Sequence, residues 1–371
     1  MKYSNDKAKR KKRKLKEDLN SILITAALKA YIKEKGRFPN DKEIDSLPNA
    51  LVDALPETSK MVTKTLKKNA EEMLLEQSAY QNGFEERLYA LWKGALDLLE
   101  CLIRISLEAG QAHKNKLDKA VEETNKYKFA ALVQIHARAL QVSNEILVLL
   151  KAGFAEGALA RWRTLYELAV VSYFLKDNDD GFSVRYMVYR IVRISKDADD
   201  YQRYYKRLNY PPIADEEFRK IKEREEELFE EYGGNSDENF DWDWARSEDL
   251  PNPYFRAIAK CVGLDHLLPF YNLASAAAHG LSRGFYRLGL APDLQNAVLL
   301  CGASVYGLAD PLQLTAICLN HVTLCLLNLQ LDTESLLVKN ILGDFVKETE
   351  DAVVLIQKGM ENEVNNSQET I

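Results

Sequence analysis

The sequence predicts an all-α protein: a multi-helix bundle with a helical N-terminal extension and an inserted charged helix and loop. Three observations carry that expectation. Glycine and proline are scarce, 17 and 10 in 371 residues, which leaves room for long uninterrupted elements. No proline occurs between Pro56 and Pro211, and that stretch is rich in Leu, Ala, Glu and Lys, all good helix formers. Apolar residues recur at helical spacing, and no strand-like alternation of useful length is present. Hydrophobic residues at 46% and charged residues at 29% exclude a wholly disordered chain, and the composition fits neither a collagen nor a small disulfide scaffold.

Taken in order, the chain begins with a basic arm, Lys7, Lys9, Arg10, Lys11, Lys12, Arg13, Lys14 and Lys16. It reads either as a phosphate-contacting arm or as a solvated, fraying terminus. The arm and a helical extension occupy residues 1–57, with Arg37-Phe38-Pro39-Asn40 as a loop leading into a helix cap. A long helical segment follows at 58–124, and the main bundle is expected over 125–335. Helices are predicted near 58–81, 84–110, 114–151, 154–177 and 182–207, with breaks at Asn82-Gly83, Ala152-Gly153 and Asn178–Gly181. Phe129, Leu132, His136, Leu140, Ser143, Leu147 and Leu150 form one buried stripe. Leu159, Trp162, Tyr166, Ala169 and Tyr173 repeat it on the next helix. Residues 209–253 are an insertion: Pro211-Pro212, a charged helix from Glu216 to Glu231, Gly233-Gly234, then Asp241-Trp242-Asp243-Trp244. It is either a lid or partner surface, or a solvated helix and loop with two tryptophans tucked against the core. Helices then follow at 254–262, 267–280, 293–308 and 312–331, and a final one at 333–360 opens the C-terminal segment 336–371.

The five cysteines, Cys101, Cys261, Cys301, Cys318 and Cys325, form no CxxC pair and suit a reducing, cytoplasmic setting. No signal peptide is legible. Leu312–Leu331 carries no formal charge, but Gln313, Asn320, His321, Asn328 and Gln330 argue for a buried core helix and against stable membrane insertion.

P-loop, dinucleotide-binding, zincin and serine-hydrolase motifs are absent. The first chemical signal is Arg161-Trp162-Arg163-Thr164-Leu165-Tyr166-Glu167. Glu167 is the only formal charge from Thr164 to Leu175, and a carboxylate in such a run needs a partner. Arg163 lies one turn earlier on the same face. The pair either locks two helices or presents a guanidinium to a phosphate or other anion. The second signal is Tyr271, Ser275 and His279, spaced four apart on one helix among small residues. His279 stands at the negative helix end, where its protonated form is favoured, and can serve as acid or base. It reads alternatively as a core histidine bonded to Glu167 or a carbonyl. Arg283 and Arg287 follow and add positive field. Cys318, His321 and Cys325 share one helix face and read as core residues, not as a metal site, since ligands normally converge from several elements. His136 and Ser143 are candidate supporting residues; His113 and His266 have no constellation around them.

"ARWRTLYELAVVSYFL", followed a hundred residues on by "YNLASAAAHG", resembles an uncharacterised bacterial helical family with an R-x-x-[YF]-E helix and a Y-x-x-x-S-x-x-x-H helix. That family is similar to the HEPN superfamily. The resemblance spans about residues 125–335. It implies a metal-independent ribonuclease of toxin or antiviral, abortive-infection type, with no cofactor. RNA, a second copy of the chain and a neutralising or sensor protein are the partners it implies. His279 would be the general acid/base, with Arg163, or Arg161, stabilising charge on phosphorus. Glu167 would orient them, Ser275 and Tyr271 would donate hydrogen bonds, and Arg161 and Arg283 would hold substrate. His279 lacks the upstream arginine usual in HEPN ribonucleases; Arg283 follows it instead. The competing readings are a non-catalytic helical interaction protein, in which the same residues form a buried polar network, and a nucleotide-binding sensor.

Overall fold

The computed structural model describes residues 47–117, 126–232, 242–279, 288–290 and 300–368, with the backbone alone at 47–54 and 363–368, and several positions between 25 and 40. Among the described residues the chain is helical and has no strand. It divides into two compact units, residues 1–84 and 85–371.

In the first unit, α1 (Leu47–Lys68) is followed by the start of α2 (Ala70–Leu117). Helical bonding passes through the junction: Asn69 N donates to Thr65 O, and Met73 N to Asn69 O, at 3.1 and 3.2 Å. Pro56 lies inside α1 and not at its edge, at the loss of one helical N–H. The expected break at Asn82-Gly83 does not occur; α2 runs through both residues.

The second unit is built around one helix. α3 (Lys126–Lys151), α4 (Ala155–Asp177) and α9 (Ala309–Leu327) pack against one another and form the core. α4 buries apolar side chains on most of its circumference: Leu159, Trp162, Leu165, Tyr166, Ala169, Val170, Phe174 and Leu175 are all buried. Such a helix is stable only with neighbours on most sides. They are α3, α9, α7 (Phe255–Cys261) and α8 (Leu268–Ala278). α10 (Thr333–Gln368) packs on α9. Breaks fall where turn chemistry predicts them. Gly153 takes φ +82° between α3 and α4, and Asp179 caps α5 (Asp180–Leu208) by accepting from Gly181 N.

Gly110 was expected to end a helix, yet α2 continues past it. A Cβ there would lie 2.3 Å from the His136 ring, so the glycine makes room for an imidazole against the backbone. His136 Nε2 lies 3.2 Å from Thr323 Oγ1, whose own proton goes to Leu319 O at 2.9 Å. The Thr323 oxygen can therefore only accept, and His136 is a neutral Nε2–H donor. Burial lowers its pKa from 6.5 to about 4. Ser143 bonds the Ala139 carbonyl of its own helix.

The insertion is a helical hairpin. α6 (Asp215–Tyr232) returns along α5. Lys222 Nζ joins the two helices, bonding Ser195 Oγ and Asp199 at 2.7 Å and Glu225 at 3.3 Å. Gln202 fixes the turn through both the N–H and carbonyl of Ile213. The two tryptophans are tucked against the core: Trp244 meets Phe174 and Tyr186, and Trp242 meets Phe255. Two sequence expectations fail at the C-terminal side. Residues 300–308 are not helical, although a helix was expected over 293–308; residues 291–299 lie outside the described set. Trp92 Nε1 instead donates to Val305 O in this segment at 2.9 Å. α9 is long and apolar enough to cross a membrane, and most of it is buried within the bundle.

Candidate functional site

The packing of α4 on α8 creates the polar cluster. Ala274 and Ala276 are buried, and their small side chains let the two helices approach. Arg163 and Glu167, one turn apart on α4, then face Tyr271 of α8. Arg163 Nη2 donates to the Tyr271 hydroxyl at 2.7 Å and lies 3.0 Å from Glu167 Oε1. The Tyr271 hydroxyl passes its own proton to the same Oε1 at 2.9 Å. Arginine, tyrosine and carboxylate thus form a closed triangle spanning two helices.

An aromatic wall holds the triangle. The Tyr271 ring stacks on Phe255 at 4.5 Å and meets Tyr166 edge-on at 5.7 Å. The Arg163 guanidinium carbon lies 4.8 Å above the Tyr271 ring. Tyr166 donates to Leu264 O at 2.7 Å and stacks on Trp162, which donates to Leu314 O at 3.1 Å. Tyr271 therefore has little freedom to move.

The electrostatics follow from partial burial. Desolvation raises the Glu167 carboxyl above its usual range, and Arg163 and the Tyr271 hydroxyl pull it partly back. Burial likewise raises Tyr271, with Arg163 opposing. Desolvation works against the charge on Arg163, but the Tyr271 bond and Glu167 outweigh it and raise its pKa. Arg163 keeps 34% of its side chain exposed, while its Nε is buried without a partner. The cluster is thus a cation held in place on one side and open on the other.

Three of the five expected residues meet directly. Ser275 lies one turn from Tyr271 but turns its hydroxyl back to Tyr271 O at 2.8 Å. His279 caps the C-terminus of α8, is exposed, and bonds through its backbone N–H to Ser275 O at 3.0 Å. It is neither sealed in the core nor bonded to Glu167, whose oxygen goes to Tyr271 and Arg163. Along the helix it stands about 12 Å from Tyr271 at 1.5 Å per residue. Arg161 is directed elsewhere, pairing with Glu145 of α3 and Thr164. Arg283 and Arg287 lie outside the described residues.

Residues 129–295 match the model of a family of unknown function, DUF5677. No curated protein and no solved structure matches the chain. The DUF5677 segment contains Arg163, Glu167, Tyr271, Ser275 and His279, so the whole cluster falls inside it. It stops short of α9, which supplies one side of the core around α4.

One further polar pair has no counterpart among the sequence expectations. Tyr173 Oη and His321 Nδ1 lie 2.9 Å apart, linking α4 to α9, and burial pushes Tyr173 up to about 12. His321 was grouped with Cys318 and Cys325; its partner is instead an aromatic on another helix, two turns beyond Tyr166. Burial pushes the Cys318 thiol up to about 12, so both buried cysteines act as small apolar groups. Among the described residues, no three His, Cys, Asp or Glu side chains gather as a metal site. Tyr166, on the expected buried stripe, and Trp242, of the expected tucked tryptophans, flank Phe255, which carried no sequence signal, and the three form the wall behind Tyr271.

Proposed function

We propose that the α4–α8 cluster binds the phosphate of an RNA chain and that the protein is a metal-independent, HEPN-like ribonuclease. The observation that carries the proposal is the partly open Arg163, clamped by Glu167 and Tyr271, on a helix pair that also presents an exposed His279. A guanidinium held on one edge and open to solvent is preorganised for a phosphate oxygen. His279 takes the proton from the RNA 2′-hydroxyl as its oxygen attacks phosphorus. The P–O5′ bond breaks, a 2′,3′-cyclic phosphate forms, and the departing 5′-oxygen takes a proton from solvent. Arg163 offsets the negative charge that builds on the phosphoryl oxygens. Glu167 and Tyr271 orient Arg163 and do not touch the reacting atoms. The resemblance to the HEPN superfamily supports a role as a toxin or antiviral effector.

The test is incubation of single-stranded RNA with purified wild type, His279→Ala and Arg163→Ala in the presence of a chelator. Wild type is expected to release cyclic-phosphate ends, and each variant to lose at least ~100-fold, the usual scale for an acid–base or charge-stabilising group. Intact RNA with wild type, or equal cleavage by all three, rejects the proposal.

A second reading has its own observation. Ser275 is spent on its own helix, and Arg163, Glu167 and Tyr271 bond one another, as in a network that fixes helix register. Under it, Arg163→Ala lowers stability, exposed His279→Ala changes nothing, and RNA stays intact.

A further inference from the structure

The unit formed by residues 1–84 carries an apolar stripe in an unusual setting. From Thr63 to Tyr80 every side chain except Ala70 is exposed. Leu66, Met73 and Tyr80 are nonetheless 56%, 57% and 69% exposed and fall seven residues apart. Ala70, Gln77 and Phe84 repeat the same interval, each four residues further on. Alternate steps of four and three, kept in register over three heptads, define a seam for another helix. A solitary helix of this composition is marginal in water, and packing along such a seam is its ordinary source of stability.

Charge decides what fills the seam. Residues 57–68 hold Lys60, Lys64, Lys67 and Lys68 against Glu57 alone; residues 71–84 hold Glu71, Glu72 and Glu76 and no basic residue. One helical run therefore has a basic half and an acidic half, meeting near Asn69. A parallel pair of copies would set lysines beside lysines. An antiparallel pair sets each basic half beside the partner's acidic half, and its two-fold symmetry closes at two chains. We infer that residues 58–84 of two copies pair as an antiparallel helical dimer, with Leu66, Met73 and Tyr80 in the seam. This inference does not depend on the α4–α8 cluster being catalytic.

Sedimentation of the full chain is expected to give twice the 42.3 kDa chain mass across the micromolar range. Leu66→Glu with Met73→Glu is expected to halve that mass while leaving the tryptophan-detected unfolding of residues 85–371 unchanged. Reversing Lys64, Lys67 and Lys68 to Glu is expected to yield monomer. Adding Glu71→Lys, Glu72→Lys and Glu76→Lys to that variant is expected to restore the dimer. A short bismaleimide should cross-link two copies at Ala70→Cys, near the two-fold, and not at Tyr80→Cys. Monomeric wild type, a dimer indifferent to the seam glutamates or to charge reversal, cross-linking at both positions, or none at Ala70→Cys overturns the inference.

Discussion

His136 makes the bundle acid-sensitive, and the size of the effect can be worked out from its environment. The imidazole is buried against Gly110 and donates to Thr323, a partner that can only accept. Protonation would place a charge there without a counter-ion. Its pKa therefore falls from 6.5 in the unfolded chain to about 4 in the folded one. Between these values the unfolded chain binds more protons than the folded chain. The stabilising contribution is complete above 6.5 and is lost as pH falls towards 4. The gap corresponds to about 3 kcal/mol in full, and to about 2 kcal/mol between pH 7 and pH 5. All four tryptophans, Trp92, Trp162, Trp242 and Trp244, lie beyond residue 84, so urea unfolding followed by tryptophan fluorescence reports on this unit. His136→Gln keeps an N–H for Thr323 and does not titrate. It is expected to cost some stability at pH 7 but to lose about 2 kcal/mol less than wild type on going to pH 5. Equal losses in both proteins would show that His136 is not held neutral and would refute the reasoning.

Other perturbations have expected outcomes of the same kind. Gly110→Ala gains about 1 kcal/mol of helix propensity but meets the His136 ring at 2.3 Å, so a net loss of about 1–3 kcal/mol is expected by the same urea assay. Adding His136→Ala should recover part of it. Tyr271→Phe removes the hydroxyl that joins Arg163 to Glu167 and should cost about 1–2 kcal/mol. Glu167 then loses a bond that lowered its pKa, so its folded-state value rises further above the unfolded one. That sign makes the Tyr271→Phe penalty larger at pH 7 than at pH 4, and a penalty independent of pH would contradict it. Lys222→Met strips the cation from the α5–α6 hairpin, whose other ties are Gln202 and the buried Ser195–Glu225 bond. Hydrogen exchange in residues 215–232 should accelerate while α4 and α9 stay protected; unchanged exchange would show that Lys222 does not hold the hairpin.

Much of the bundle could be read before folding because its signals are local. The proline-free stretch placed α4 and α5 and the charged run Glu216–Glu231 placed α6, each to within a few residues, and Gly153 and Asp179-Asp180-Gly181 ended or began helices through their own turn and cap chemistry. The errors came from the same residue types serving non-local ends. Gly83 reads as a break and residue 110 as a helix end, but the helix passes both, and the Gly110 position is needed by a histidine 26 residues away. The apolar run before α9 read as helix, yet residues 300–308 are irregular and take the Trp92 indole bond.

The sequence by itself determined the helical class, the burial of α9 and the pairing of Arg163 with Glu167, because spacing along one helix fixes which side chains share a face. It also marked Tyr271, Ser275 and His279 as one face of α8. Only the tertiary structure decided that Tyr271, and not His279, reaches the Arg163–Glu167 pair, that Arg161 turns away to Glu145, and that Ser275 spends its hydroxyl locally. Those outcomes depend on how α4 crosses α8, α3 and α9. The crossing is set by the shapes of Trp162, Tyr166, Phe255 and the alanines between the helices, and no pattern along a single helix encodes it.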